Sequence, residues 1–162
     1  MSVVLLRVDD RFIHGQILES WIPFLRAQGI IVANDDLAND QFQKAIMSMA
    51  IPERINLRIV PIEIVSRILN GKNFSGKTTL IIVASIKDAF RMYQNGLEFT
   101  KLNIGNMKAR DGSRQLSYSA WVDSEDIELL KKFISRGVYV NLQSVPRERD
   151  IDMRTIIEMV SL

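Results

Sequence analysis

Residues 7–16 read RVDDRFIHGQ and hold the only histidine of the chain, His14, three residues after Arg11 and just behind Asp9 and Asp10. An imidazole next to a guanidinium suits the carriage of a phosphoryl group. The neutral ring is the nucleophile, and imidazole's ordinary pKa of ~6.5 leaves most of it neutral near pH 7. A nearby cation and the positive end of a helix both favour that neutral form, the helix end by about 0.3–1 kcal/mol. After transfer the group carries about two negative charges. The first N–H groups of a helix and the fork of Arg11 would then hold it. Gly15, without a Cβ, lets the backbone come close to the phosphate. Asp9 or Asp10 would fix the ring tautomer through the other nitrogen, or hold Arg11. The plainer reading makes His14 a loop residue, the two aspartates a solvated turn and Arg11 a surface cation.

The elements around this segment decide between the two. Residues 2–8 form an almost unbroken apolar run, as in a strand covered on both faces. Residues 15–28 place Ile17, Trp21, Phe24 and Leu25 on one helical stripe. Residues 29–34 read as a second strand, and 36–50 as a helix aligning Phe42, Ile46 and Met49. A strand at 56–61, a helix at 62–69, a strand at 78–85 and a helix at 87–95 follow. Strands are expected at 101–105, 115–122 and 137–143, with helices at 124–136, capped by Ser124, and at 153–159. Alternating strands and helices predict a single α/β domain over 1–162, with a mostly parallel, mixed sheet of about seven strands and helices on both faces. No helix separates 101–105 from 115–122, so that pair is expected to form a hairpin. The histidine segment falls at the carboxyl end of the first strand, where open α/β sheets place their ligands.

A second motif competes. GKNFSGKT at 71–78 matches the phosphate-loop pattern through Gly71, Gly76, Lys77 and Thr78. It lies after a helix and before a strand, the reverse of the required order. It is therefore read as a glycine-rich turn with Gly71 just past the helix end, and no nucleotide is expected. With 21 basic against 19 acidic side chains, the net charge of +2 is no nucleic-acid footprint. Cysteine is absent, which removes disulfides and thiolate chemistry, and with a single histidine a zinc site is not expected. The opening residues do not read as a signal peptide, and no run reaches the length of a membrane span.

The segment 7–16 resembles the enzyme IIB component of the mannose/fructose/sorbose family of the bacterial sugar phosphotransferase system. IIVANDD at 30–36, LNIGN at 102–106 and the order of elements support the likeness, which covers essentially the whole chain. Phe12 stands where the family more often has leucine. The resemblance implies a cytoplasmic phosphotransferase in peripheral association with a membrane transporter. His14 would accept a phosphoryl group from the phosphohistidine of a IIA protein or domain, with Nδ1 as the phosphorylated atom. It would pass the group to a sugar held by the IIC–IID membrane subunits. Arg11 becomes the charge partner, with Gly15 and Gln16 at the phosphate and Asp9 and Asp10 in support. No cofactor, metal or nucleotide is implied, and the oligomeric state stays open between monomer and homodimer.

A carrier that serves two partners is expected to expose its histidine and to dock transiently, over ~1,200 Å² or less. Lys108, Arg110 and Arg114 crowd the loop after the fifth strand, and would attract an acidic IIA surface if that strand runs parallel to the first. Arg147 and Arg149 follow the seventh strand, whose direction the sequence does not fix. Trp21 and Phe24 read as helix-packing residues. The rival functions are a regulatory protein of the same fold, phosphorylated on His14 without a transport partner, and a small-molecule-binding α/β domain.

Overall fold

The computed structural model describes residues 3–160; Ser2, the expected start of the first strand, lies outside the described residues. The strands are β1 (Val3–Asp9), β2 (Gly29–Ala33), β3 (Asn56–Val60), β4 (Thr79–Val83), β5 (Lys101–Asn106), β6 (Arg114–Gln115), β7 (Trp121–Val122), β8 (Tyr139–Leu142) and β9 (Ile151–Asp152). The helices are α1 (Ile22–Leu25), entered through a π-type turn at Ile17–Trp21, α2 (Asp35–Ala38), α3 (Gln41–Ala50), α4 (Val65–Leu69), α5 (Ile86–Gln94), α6 (Ser124–Ser135) and α7 (Met153–Val160). Seven strands form one sheet in the order β3-β2-β4-β1-β5-β8-β9. All neighbours are parallel except β8 and β9. The expected mixed α/β sheet is therefore present.

Its antiparallel edge is not the expected one. Residues 115–122 do not form a strand beside β5. They fold into the small β6–β7 hairpin, outside the main sheet and joined to it by one parallel bridge between Met107 and Ala120. Ser117 and Ser119 turn the chain there, and the Leu116 N–H donates to the Ala120 carbonyl at 2.9 Å.

Period-two alternation in β1 builds both layers of the core. Leu6 and Val8 join the cluster under α5, α6 and α7, while Leu5 joins Ile17, Trp21 and Ile22 on the other face. Each fully buried Ile, Leu or Val contributes about 1.5–3 kcal/mol.

Three helices differ from expectation. The first ends at Leu25 because Arg26 turns left-handed, at φ 52°. Trp21 is buried as expected, but Phe24 is 65% exposed and packs only edge-on against Trp21. The helix expected over 36–50 is two, because the Asn34 and Asp40 side chains each cap a new helix start. Of these, α3 buries no residue, so the Phe42, Ile46 and Met49 stripe faces outward, Met49 being 86% exposed. The cap of α6 is Asp123, not Ser124: its carboxylate accepts from the Asp126 N–H, and Asp126 reciprocates.

GKNFSGKT runs from the end of α4 to β4, at the amino edge. Gly71 follows the helix end, yet the left-handed glycine of this turn is Gly76, at φ 76°. Phe74 anchors the turn in the core, against Gly29 of β2. A Cβ on Gly29 would stand 2.8 Å from the Phe74 ring and 3.3 Å from Thr79 Oγ1. Gly29→Ala should accordingly cost about 1–3 kcal/mol through overpacking. Urea unfolding of the variant checks this, and unchanged stability would contradict the packing described.

Candidate active site

The site grows out of β1. Its Leu6 and Val8 side chains face α5 and α6, while Arg7 and Asp9 point to the Trp21 face, where β5 and β8 also turn polar groups. Arg7 is entirely enclosed. Its Nε donates to Asp9 Oδ2 at 3.1 Å and its Nη1 to Asn103 Oδ1 at 2.6 Å and the Gln143 carbonyl at 3.0 Å. Nη2 donates to the Ser144 carbonyl at 2.9 Å. The guanidinium also lies 5.0 Å from the Trp21 ring centroid. Gly105 makes room for it, since a Cβ there would fall 2.2 Å from the guanidinium carbon. Burial pulls the Arg7 pKa down, and the Asp9 carboxylate partly offsets this.

Asp9 gathers the remaining donors. Oδ2 accepts from Arg7, from Asn106 Nδ2 at 3.0 Å and from His14 Nε2 at 2.8 Å; Oδ1 accepts from the Arg11 backbone N–H at 3.0 Å. Burial alone would raise the Asp9 pKa. The His14 hydrogen bond, the Arg7 charge and the Asn106 amide outweigh it and hold the carboxyl below its ordinary value. An ionised carboxylate only accepts hydrogen bonds, so His14 Nε2 carries the proton in this contact. In the neutral ring Nδ1 is then a bare lone pair. That atom is buried and makes no hydrogen bond among the described residues.

The loop that carries the ring is tightly held. Asp10 N–H donates to the Asn106 carbonyl and Phe12 N–H to the Asp9 carbonyl. Phe12 adopts φ 58°, an uncommon conformation for a bulky residue. Helical backbone begins at Gly15, and the His14 carbonyl accepts from the Ile17 and Leu18 N–H groups. The N–H groups of Gly15 and Gln16 thus open the turn, ahead of its ladder. A Cβ on Gly15 would meet nothing within 4 Å. Gln16 Oε1 accepts from Asn106 Nδ2 at 3.0 Å. Arg11 is exposed, and its guanidinium has no hydrogen bond or ion pair among the described residues.

Several expectations change here. His14 is not open to solvent: its side chain is 9% exposed, because Asp9 draws the ring inward. Asp10 does not reach the imidazole; it accepts from the Lys108 backbone N–H at 2.7 Å. β5 is parallel to β1, so the loop of Lys108 and Arg110 does lie on the His14 edge. Arg110, however, is bonded to Asp123 at 3.0 Å and to Asp126, so its charge is matched within the chain. Lys108 is exposed, and Arg114 belongs to β6. β8 is parallel too, which puts exposed Arg147 and Arg149 on the same edge. Arg7, Asn103, Gly105 and Asn106 also build the site, beyond the residues expected from the sequence. Their signal was a lone cation inside an apolar strand, and two asparagines and a glycine inside another.

A family model described as PTS system sorbose subfamily IIB component matches residues 3–161. The chain is 29% identical over 161 residues to the PTS system fructose-specific EIIB component of Bacillus subtilis, covering 99% of both. It is 31% identical over 153 residues to the N-acetylgalactosamine-specific phosphotransferase enzyme IIB component 2 of Escherichia coli, covering 94% of this chain and 96% of that one. Against the PTS system mannose-specific EIIAB component of Escherichia coli the identity is 28% over 160 residues, 99% of this chain but half the length of that relative. In structure it is similar to the IIBSor domain of the sorbose permease from Klebsiella pneumoniae, with a TM-score of 0.90, 28% identity and 98% of each chain covered.

The Asp9 contacts make a stability prediction. A carboxyl whose folded pKa lies below its unfolded value stabilises the fold above the unfolded value, and that increment is lost as pH falls through the folded one. Asp9→Asn also leaves the Arg7 charge buried without its counter-ion, a loss of about 3–5 kcal/mol. Denaturant unfolding near pH 7 should show that deficit, and the gap to the parent protein should close below about pH 4. A pH-independent gap would contradict an ionised Asp9.

Proposed function

The chain belongs to the sorbose-subfamily IIB components of the sugar phosphotransferase system, and on that premise we propose that His14 Nδ1 is its phosphoryl carrier. The membership gives it a role in sugar phosphotransfer. In our reading, the N–P bond of a IIA phosphohistidine breaks as a new N–P bond forms at His14 Nδ1. The second step joins phosphorus to a sugar hydroxyl presented by the IIC–IID membrane subunits as the N–P pair returns to Nδ1, and the hydroxyl proton passes to water or to a base on the transporter. The chain thus acts as a protein-phosphohistidine:sugar phosphotransferase, in the cytoplasm and docked on the transporter from outside the bilayer. No helix of the described residues is long and apolar enough to cross a membrane.

The observation that carries this reading is the division of labour between the two ring nitrogens. Nε2 is committed to Asp9 at 2.8 Å, and Nδ1 has no partner. Its neighbours along the chain supply groups that suit a phosphate: the N–H groups of Gly15 and Gln16 at a helix start, and the exposed Arg11 guanidinium, which has no hydrogen bond or ion pair among the described residues. Transfer between two histidines is nearly energy-neutral, so positioning and charge stabilisation supply most of the catalysis. Because Nδ1 is covered in the resting chain, docking must shift the segment 10–14. Phe12, at φ 58°, is where that segment is strained, by about 1–3 kcal/mol. The relatives are named for fructose, sorbose, N-acetylgalactosamine and mannose at similar identity. That spread supports a carrier whose chemistry does not depend on the sugar.

Incubation with phosphoenolpyruvate, enzyme I, HPr and a cognate IIA should add one acid-labile phosphoryl group, read by intact mass. His14→Ala should abolish the label with the fold intact, and a label that survives it would remove the mechanism. Arg11→Ala should slow transfer roughly 100-fold, the scale on which one charge-stabilising donor acts. Gly15→Ala should leave thermal stability unchanged, since its Cβ meets nothing within 4 Å, yet slow labelling by crowding the phosphate. Equal labelling rates would take Gly15 out of the phosphate cradle.

A further inference from the structure

Arg7 cannot touch a phosphoryl group at His14 as the chain stands. It is sealed from solvent, and its three nitrogens are taken up by Asp9, Asn103 and the carbonyls of Gln143 and Ser144. A buried guanidinium costs several kcal/mol in desolvation, and replacing a buried ion pair by apolar groups is often neutral or stabilising. Stability alone therefore gives a poor reason for a cation here. Among the described residues the one ionised group that Arg7 touches is Asp9, and the atom it holds, Oδ2, is the atom that accepts from His14 Nε2.

We propose that Arg7 is a positioning residue: it fixes Asp9 Oδ2 so that the carboxylate holds the His14 ring with Nε2–H inward and Nδ1 bare. This rests on the carrier reading only for its consequence in phosphotransfer; the tautomer itself belongs to the resting protein. Two features give Arg7 this role. Its fork is held at both ends, by β5 through Asn103 and by the chain after β8 through two carbonyls, so Oδ2 is located against the sheet and not by the loop that carries the ring. The space it fills exists because residue 105 is glycine: a Cβ would overlap the guanidinium carbon at 2.2 Å. Gly105 is thus the steric counterpart of Arg7, two strand neighbours sharing one volume.

The test uses the fact that the chain has one histidine. Nitrogen-15 NMR of uniformly labelled, unphosphorylated protein reports its tautomer with no overlap. The parent protein should show protonated Nε2 and bare Nδ1; protonated Nδ1 in the neutral ring would overturn the inference at once. Two variants displace the guanidinium by different routes, Arg7→Met by removal and Gly105→Ala by exclusion. Each should give a mixture of tautomers and slow phosphoryl acceptance roughly tenfold or more, as loss of an outer-shell partner does for ligating histidines. Arg7→Lys restores the charge without the fork and should recover part of the tautomer bias. A folded variant that keeps the pure Nε2–H tautomer would overturn the proposal, and so would collapse of both variants, which would assign Arg7 to folding alone. If the tautomer shifts as stated but the parent protein takes no phosphoryl group on His14, the positioning role stands and the carrier reading falls.

Discussion

A full positive charge enclosed beneath the carboxyl edge of a sheet must be answered on the spot, and the Arg7–Asp9 contact is that answer. Once the guanidinium is there, much else follows. β5 must offer an acceptor at Asn103 and no Cβ at Gly105; the chain leaving β8 must turn two carbonyls inward. Asn103 in turn donates to Asn141 at 2.9 Å, so β1, β5 and β8 share one polar layer. The same face is apolar under α1, where Ile30, Val32, Leu80 and Ile82 lie. One face of one sheet is therefore divided, oily on the β2–β4 side and hydrogen-bonded on the β5–β8 side. His14 is delivered to the polar half.

Rigidity below and strain above divide the work. The Asp9 carboxylate has partners from β1, β5 and the His14 loop, so the inner nitrogen of the ring has little freedom. The outer nitrogen sits in a loop whose Phe12 is in a costly backbone conformation. In the relay proposed above, a group that first receives and then releases phosphate would benefit from this asymmetry. On that reading the inner contact keeps the tautomer while the strained outer segment is the part that yields, so accessibility would change without loss of orientation.

β1 to β5 and β8 are legible as short apolar runs between turn residues, and the parallel order of the first four follows from the intervening helices; the two-residue β9 and the direction of β8 carry no such signal. The position of His14 followed from that order. What the sequence left open is mostly a matter of facing. Helical period aligned Phe42, Ile46 and Met49 correctly, but period does not say which side of a helix a neighbour will cover, and α3 has none over that stripe. Alternation along β1 does separate Asp9 from Asp10: Asp9 shares parity with Arg7 and turns inward, whereas Asp10 turns to the Lys108 loop. The shielding of His14 was not legible, since it arises from a carboxylate whose own position depends on contacts nearly a hundred residues away.

Charge on the carboxyl edge obeys a related economy. With a net charge of +2 the molecule has little overall field, so attraction for a partner must come from local arrangement. Arg110 does not supply it, because Asp123 and Asp126 at the start of α6 already bind it. That interaction ties the loop after β5 to a helix end, which makes the loop a firm platform. The exposed cations left on the edge are Arg11, Lys108, Arg147 and Arg149, contributed by loops after three parallel strands. Fields from exposed charges fade over about 10 Å at 0.1 M salt. Such an edge therefore favours an acidic partner at close range and lets it leave quickly, as the proposed relay between two partners would demand.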